Sequence, residues 1–323
     1  MPNVFSGVLE IDTRFTHNVQ AAAGIQAKIA YLQQSLQDAV QGFTQLNNGV
    51  APSLAAGDIM IFSAPEYFFA YPQFDVPARS VFAYDLIEAG QADAGCIQAS
   101  NLYDEIVIVP GTTLYKNAIT RTQRGQLHAH LQAGKTNFVA GPLRAQITTV
   151  QGQIKPKGLG LKSMFRTRLR AIGYNQVRVY FAGHRIYTAN KIDNAQEFVN
   201  EPGGPPILVP GTETGSFDYP PDTNIKLGVE VCADQGRLEA ANEVVDIVIL
   251  VSAAISMNNG YQPVHIDGLA IHANATNYQR DPSGMRRIKA PDQQGFVFDR
   301  ARVTAKLQQA VTVNEVRCQM KTL

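Results

Sequence analysis

The chain has 323 residues, 45% hydrophobic and 17% charged, an ordinary composition for a folded protein able to bury a sizeable core. Its 28 basic and 27 acidic residues leave a formal net charge of +1, so no global field points to nucleic acid or to a membrane surface. Three widely spaced cysteines (Cys96, Cys232 and Cys318) suit neither a disulfide framework nor a zinc site, and the N-terminus lacks a basic segment followed by an apolar run. The expectation is a cytoplasmic protein with free thiols.

In chain order, residues 4–11 read as a strand and residues 18–46 as a long helix. In that helix Ile25, Ile29, Leu32, Leu36, Val40 and Phe43 step by three and four and so mark one apolar face. Asn47-Asn48-Gly49 supplies a helix stop. Residues 58–63 form a continuous apolar run, the pattern of a strand buried on both faces. Residues 84–104 read as a helix and 105–109 as a second buried strand, ending at Pro110-Gly111. Strands are expected at 137–143, 177–181, 227–232, 244–251, 295–298 and 311–317, with a short helix at 236–243. The apolar run at 247–255 is far too short to span a bilayer. Strands alternating with helices indicate an α/β protein, and their number indicates more than one sheet. No repeat or low-complexity linker divides the chain.

One stretch stands apart. Residues 144–171 hold Lys155, Lys157, Lys162, Arg166, Arg168 and Arg170 with several glycines and no acidic residue, which reads as a long basic loop or flap.

In α/β proteins functional side chains gather at the carboxyl ends of strands. Three reactive residues hold that position: Glu66 after the 58–63 strand, Lys191 after an extended segment at 185–190, and Cys232 at the end of 227–231. A thiol with an ordinary pKa of about 8.5 is only a few per cent thiolate at neutral pH and needs a base or a cation beside it. A carboxylate can take the proton as sulfur attacks, and an ammonium can offset the charge that develops. Glutamate, lysine and cysteine therefore form a self-consistent catalytic set that requires no histidine or metal. Periodicity and composition do not bring the three together.

A family resemblance does. Ile-Phe-Ser-Ala-Pro-Glu66-Tyr-Phe-Phe resembles the nitrilase superfamily's apolar strand ending in Pro-Glu and an aromatic turn. Gly173-Tyr-Asn-Gln-Val-Arg-Val-Tyr-Phe-Ala-Gly183 and the segment ending in Ala-Asn-Lys191 resemble its Tyr-Asn strand and the returning strand that carries the lysine. Leu227-Gly-Val-Glu-Val-Cys232-Ala-Asp234 resembles its nucleophile elbow, and Val248-Ile-Leu-Val-Ser-Ala-Ala254 the apolar strand that follows. The ordered set spans residues 4–256, and the order makes it more specific than any single motif.

The resemblance implies a single domain over 1–323, folded as an αββα sandwich of two mixed sheets flanked by helices, with an inserted basic flap at about residues 116–170. It implies a homodimer or higher homo-oligomer. It implies Cys232 as nucleophile, Glu66 as base, and Lys191 with the backbone N–H of Ala233 as oxyanion partners. A second glutamate of the family maps to Glu201, with Glu197 as the alternative. The activity expected is amidase-type hydrolysis of a small-molecule amide; nitrilase and N-acyltransferase chemistry share the same thioester, and an inactive scaffold is the alternative of another class. No cofactor, metal, nucleic acid or membrane is implied.

Departures from the family pattern bear on substrate class. The segment from Gly111 to Tyr174 is long, and the resemblance thins after Met257. Glu230, two residues before Cys232, would share its face on an extended strand and oppose thiolate formation. Cys96 and Cys318 are read as structural. His128 and His130 form a His-x-His without further ligands, and structural roles are read for His265 and His272.

Overall fold

Apolar runs that continue through a strand require packing on both faces, and the computed structural model supplies it. The structure describes residues 3–11, 13, 24–72, 81–118, 171–191, 207–208, 215–241, 243–253, 264–275, 283–287 and 310–322. The expected strands at 137–143 and 295–298, the basic flap beyond residue 118, Glu197, Glu201, His128 and His130 lie outside the described residues, as does the side chain of His265.

The elements run β1 (Asn3–Leu9), α1 (Ile25–Leu46), β2 (Ile59–Ser63), β3 (Tyr71–Pro72), β4 (Val81–Phe82), α2 (Leu86–Leu102), β5 (Ile106–Val109) and β6 (Thr112–Ala118). They continue as β7 (Ala171–Phe181), β8 (His184–Asn190), β9 (Ile207–Leu208), β10 (Ser216–Tyr219), β11 (Asp222–Val231), α3 (Arg237–Ala240), β12 (Val245–Ser252), β13 (Val264–Asn274), β14 (Gly284–Arg287), β15 (Val311–Val313) and β16 (Val316–Thr322). The fold is α/β with two mixed sheets and few helices. One sheet has the order β15-β16-β1-β2-β5-β7-β6, with β8 and β9 also paired to β7; the other runs β10-β11-β12-β13-β14. Each places parallel strands at its centre (β1-β2-β5 and β11-β12-β13) with antiparallel pairings outside them, apart from the short β9, which runs parallel to β7.

Alternation along the central strands builds two cores from single runs. Phe5, Leu9, Met60, Phe62, Ile106 and Ile108 pack with α1 and α2. Their neighbours Val4, Val8, Ile59, Ile61, Val107 and Val109 pack instead against Leu227, Val229, Val231, Ile247, Ile249 and Val251 of the second sheet. The described layers are therefore helices, sheet, sheet. Among the described residues no helix is long and apolar enough to cross a membrane.

The helices follow local rules. In α1 the buried stripe includes Ile25, Ile29, Leu32, Leu36 and Phe43, and the helix stops where Asn47 N–H bonds Phe43 O and Asn48 turns to φ 57°. A capping box opens α2: Glu88 N–H donates to Asp85 Oδ1 at 2.8 Å, and Asp85 N–H donates to Glu88 Oε2 at 2.7 Å. Its buried face is built of Ala89, Ala92, Gly95, Cys96 and Ala99, small enough for Ile29 of α1 to lie against Gly95.

The C-terminal segment departs from the single strand expected at 311–317. Asn314, at φ 51°, turns the chain so that β15 and β16 form a hairpin, and β16 then pairs with β1. The expected helix at 236–243 is a single turn.

Candidate active site

Glu66 leaves the end of β2 through Ala64-Pro65, and three hydrogen bonds fix its stretch of backbone. Glu66 N–H donates to Ser252 O at 3.3 Å, Thr13 Oγ1 donates to Glu66 O at 2.5 Å, and Tyr67 N–H donates to Thr112 Oγ1 at 3.0 Å. Tyr67 sits at φ 64°, where a residue with a side chain is strained. Across from Pro65, Gly111 has φ 67°, and a Cβ there would lie 1.9 Å from Pro65 O. Only glycine lets the turn after β5 approach the glutamate segment this closely.

Lys191 follows β8, and its N–H donates to Asn175 O on the neighbouring β7 at 2.8 Å. That pairing aims two donors at one oxygen. Lys191 Nζ lies 2.8 Å and Asn175 Nδ2 2.9 Å from Glu66 Oε1. Glu66 and Asn175 are fully buried and Lys191 nearly so. The other carboxylate oxygen, Oε2, is buried and has no N–H or O–H donor among the described residues.

Cys232 follows β11 at φ 50°, a strained elbow for a non-glycine residue, and opens a short 3-10 turn over Cys232–Asp234 closed by Gln235 N–H on Cys232 O. The elbow reverses one expectation. Because Cys232 leaves the extended conformation, it joins Val229 and Val231 in the core between the sheets instead of keeping the face of Glu230. The Glu230 carboxylate is tied to backbone N–H groups of the following turn, Gly236 at 3.0 Å and Leu238 at 2.8 Å.

The glutamate, lysine and cysteine therefore converge, from loops at the ends of both sheets. Burial first, and then the charge and hydrogen bond of the neighbouring Glu66 carboxylate, push the Cys232 thiol up to about 12. The Lys191 ammonium and the backbone N–H of Ala253 act in the opposite direction without cancelling it. The raised thiol stays protonated at neutral pH, with the Glu66 carboxyl group beside it and Lys191 Nζ beside that group. Ala233 is the second residue of the 3-10 turn, next to the sulfur-bearing residue.

Three contributors to this geometry carried no assigned role in the sequence reading. Asn175 lies inside the Tyr-Asn motif, but its task depends on a distance across strands that a motif does not print. Ser252 and Ala253, at the end of β12, serve both partners: Ser252 O accepts from Glu66 N–H, and Ala253 N–H donates to the sulfur. Ser252 Oγ in turn lies 2.8 Å from His272 Nε2 and 3.2 Å from Asn274 Oδ1, all three fully buried, so His272 braces the end of this strand. The other two thiols are remote from this chemistry. Cys96 packs among α1, α2 and the first sheet, and Cys318 lies against Gly42 and Ala39 O.

No protein-family model matches the chain, and no curated protein matches it. Among solved structures, it is similar to a glutamine-dependent NAD+ synthetase from Acinetobacter baumannii in complex with adenosine diphosphate, with 12% identity and a TM-score of 0.40 over 84% of this chain and 38% of that one. It is also similar to a glutamine-dependent NAD(+) synthetase from Cytophaga hutchinsonii, with 11% identity and a TM-score of 0.40 over 91% and 42% of the two chains. The chain thus spans about two fifths of the length of these structures. At these TM-scores and identities the likeness carries no argument about fold or activity.

Proposed function

We propose that the chain is a cysteine hydrolase of a non-peptide carbon–nitrogen bond, of the nitrilase-superfamily type, acting on a small-molecule amide. The observation that carries the reading is the buried Lys191–Glu66 pair beside the Cys232 thiol, with one carboxylate oxygen accepting hydrogen bonds from Lys191 and Asn175 and the other open to a sulfur-borne proton. Holding a carboxylate, an ammonium and a thiol together out of water is costly for a fold and useful to an acyl-transfer reaction.

In this mechanism the Cys232 S–H bond breaks as sulfur attacks the amide carbon, and the proton passes to Glu66. The substrate oxygen gains negative charge, which Lys191 Nζ and the N–H of Ala233 stabilise. When the tetrahedral adduct collapses, the C–N bond breaks and Glu66 returns its proton to the departing amine. Water then attacks the thioester, giving its proton to Glu66; the acid leaves, and the thiol is restored with that proton. Lys191 stays charged throughout and offsets whichever negative centre the step creates. The elevated thiol makes transfer to Glu66 concerted with attack, because a free thiolate is scarce at neutral pH.

The αββα sandwich, the homo-oligomer and Glu201 belong to the same reading. A panel of small amides and nitriles, with hydroxylamine as a competing acceptor, tests it. Ammonia or amine release from amides that vanishes in Cys232→Ala supports the amidase. Release from nitriles alone, or acyl transfer that outruns hydrolysis, replaces it with nitrilase or acyltransferase chemistry.

A further inference from the structure

Lys28 lies in the middle of α1, on the stripe that faces the protein interior, and is 3% exposed. Its Nζ donates to Phe68 O at 2.7 Å and to Ala70 O, and stands 6.0 Å from the centre of the Phe68 ring and 5.8 Å from that of Tyr84. No carboxylate pairs with it among the described residues. Burial without a counter-charge lowers its pKa to about 7. A long apolar side chain would fill the same space without that penalty, so packing gives no reason for a lysine here.

Its two acceptors explain it. Residues 66–70 form the turn that presents Glu66, and the turn is tied on its other side through Tyr67 N–H to Thr112 Oγ1, Phe69 N–H to Thr112 O, and Leu114 N–H to Phe69 O. The carbonyls of Phe68 and Ala70 lie in buried residues and both accept from Lys28 Nζ of α1. The rings of Phe68 and Tyr84 close the remaining sides. Around these, Tyr31 stacks on Phe68 and hydrogen-bonds Glu315, and Tyr71 packs edge-on against Tyr84 and hydrogen-bonds Glu88 beside Asp85.

We propose that Lys28 is a positioning residue for the proposed general base: it locks the turn at residues 66–70 so that the Glu66 carboxylate meets the Cys232 thiol. The inference rests on the Glu66–Lys191–Cys232 reading above. Lys28 touches none of the reacting atoms and acts only through the backbone that follows Glu66.

The probe is iodoacetamide, with alkylation mapped to each of Cys96, Cys232 and Cys318 by peptide mass. It is applied across pH 6–9 to the full-length protein and to Glu66→Gln, Lys28→Met and Lys28→Gln. Where Glu66 takes the proton, the rate at Cys232 is nearly independent of pH; where only free thiolate reacts, it climbs about tenfold per pH unit below the thiol pKa. Wild type is expected to show the flat profile and Glu66→Gln the climbing one. Lys28→Met is expected to reproduce the climbing profile and lose about tenfold or more in rate at pH 7 while Cys96 and Cys318 stay unreactive. Lys28→Gln, which keeps N–H donors, is expected to recover part of the loss. A flat wild-type-like profile in Lys28→Met, with wild type and Glu66→Gln differing as expected, overturns the role of Lys28 and leaves the catalytic reading intact. Equal gains in reactivity at all three cysteines overturn it too, because that pattern reports loosened packing. If wild type itself climbs like Glu66→Gln, the catalytic reading fails first and takes this inference with it. Should Lys28→Met fail to fold, Lys28→Gln decides: a partial loss of rate at Cys232 at pH 7 with a partly climbing profile, while Cys96 and Cys318 stay unreactive, supports the role, and a rate and profile unchanged from wild type overturn it.

Discussion

Cys232 combines a left-handed backbone with a thiol held protonated by burial and by a neighbouring carboxylate. Replacing it with alanine removes the nucleophile but little volume. Turnover should vanish while unfolding free energy changes by no more than about 1–2 kcal/mol; retained turnover would remove Cys232 as nucleophile. The sign of the pH effects follows from the shifts. Cys232 is raised from 9.0 to about 12 in the native state, so its contribution is complete below pH 9 and is lost as pH rises from there toward 12. Lys28 runs the other way. Its native pKa of about 7 lies below the ordinary 10.5, so the penalty for burying it is absent above about 10.5, grows as pH falls, and is complete below about 7. Wild type should therefore gain stability relative to Lys28→Met between pH 7 and 9, by up to about 1.4 kcal/mol per pH unit. Parallel stability curves from denaturant titrations would show that Lys28 keeps its proton in the folded protein.

Elements differ in how much of the site they carry, and two substitutions separate them. Gly111→Ala places a Cβ against Pro65 O in a left-handed turn, so the Pro65–Glu66 segment must move. That change should lower the melting temperature and the rate at Cys232 together; an active, stable variant would contradict the close approach. Asp85→Ala breaks the capping box of α2, away from the site, and should cost about 1 kcal/mol without changing Cys232 chemistry. The same contrast governs what could be read beforehand. The strands at 59–63, 106–109 and 245–252 announce themselves because both faces are buried in apolar surroundings, which leaves an uninterrupted apolar run. Strand β13 hides because its burial is partly polar: His272 Nε2 and Asn274 Oδ1 both meet Ser252 Oγ, and no alternation survives. Strand β6 hides because its last residues are exposed. Lys28 carried no role in the sequence reading, since only apolar residues mark a stripe by periodicity. Glu66, Lys191 and Cys232 were found through motif order, whereas their contact, the part played by Asn175 and the removal of Glu230 from the thiol all depend on backbone turns that residue type does not encode.

At the scale of the molecule, the site exists because two sheets share one core. Glu66 and Lys191 depend on the first sheet and Cys232 on the second, and Val4, Ile59 and Val107 meet Val229, Ile247 and Ile249 between them. Ile249→Ala should cost about 2–5 kcal/mol and weaken both sheets at once. In hydrogen exchange under denaturant, β2 and β11 should lose protection together; separate transitions would mean that the sheets fold as independent units. A joint transition also predicts that a core lesion distant from Cys232 lowers activity through population of the folded state and leaves the pH profile of the surviving fraction unchanged.

The central claim is that Cys232 forms a covalent acyl intermediate with Glu66 as its proton acceptor. Intact-mass spectrometry of wild type, Glu66→Gln and Cys232→Ala after brief exposure to a panel of amides, nitriles and activated acyl esters tests it most directly. The expected result is a mass increase in wild type that maps to Cys232, is slowed in Glu66→Gln and is absent from Cys232→Ala. An increase that maps to another residue, or no increase across the panel while the three side chains stay together, would contradict it and favour a fold kept for interaction instead of turnover.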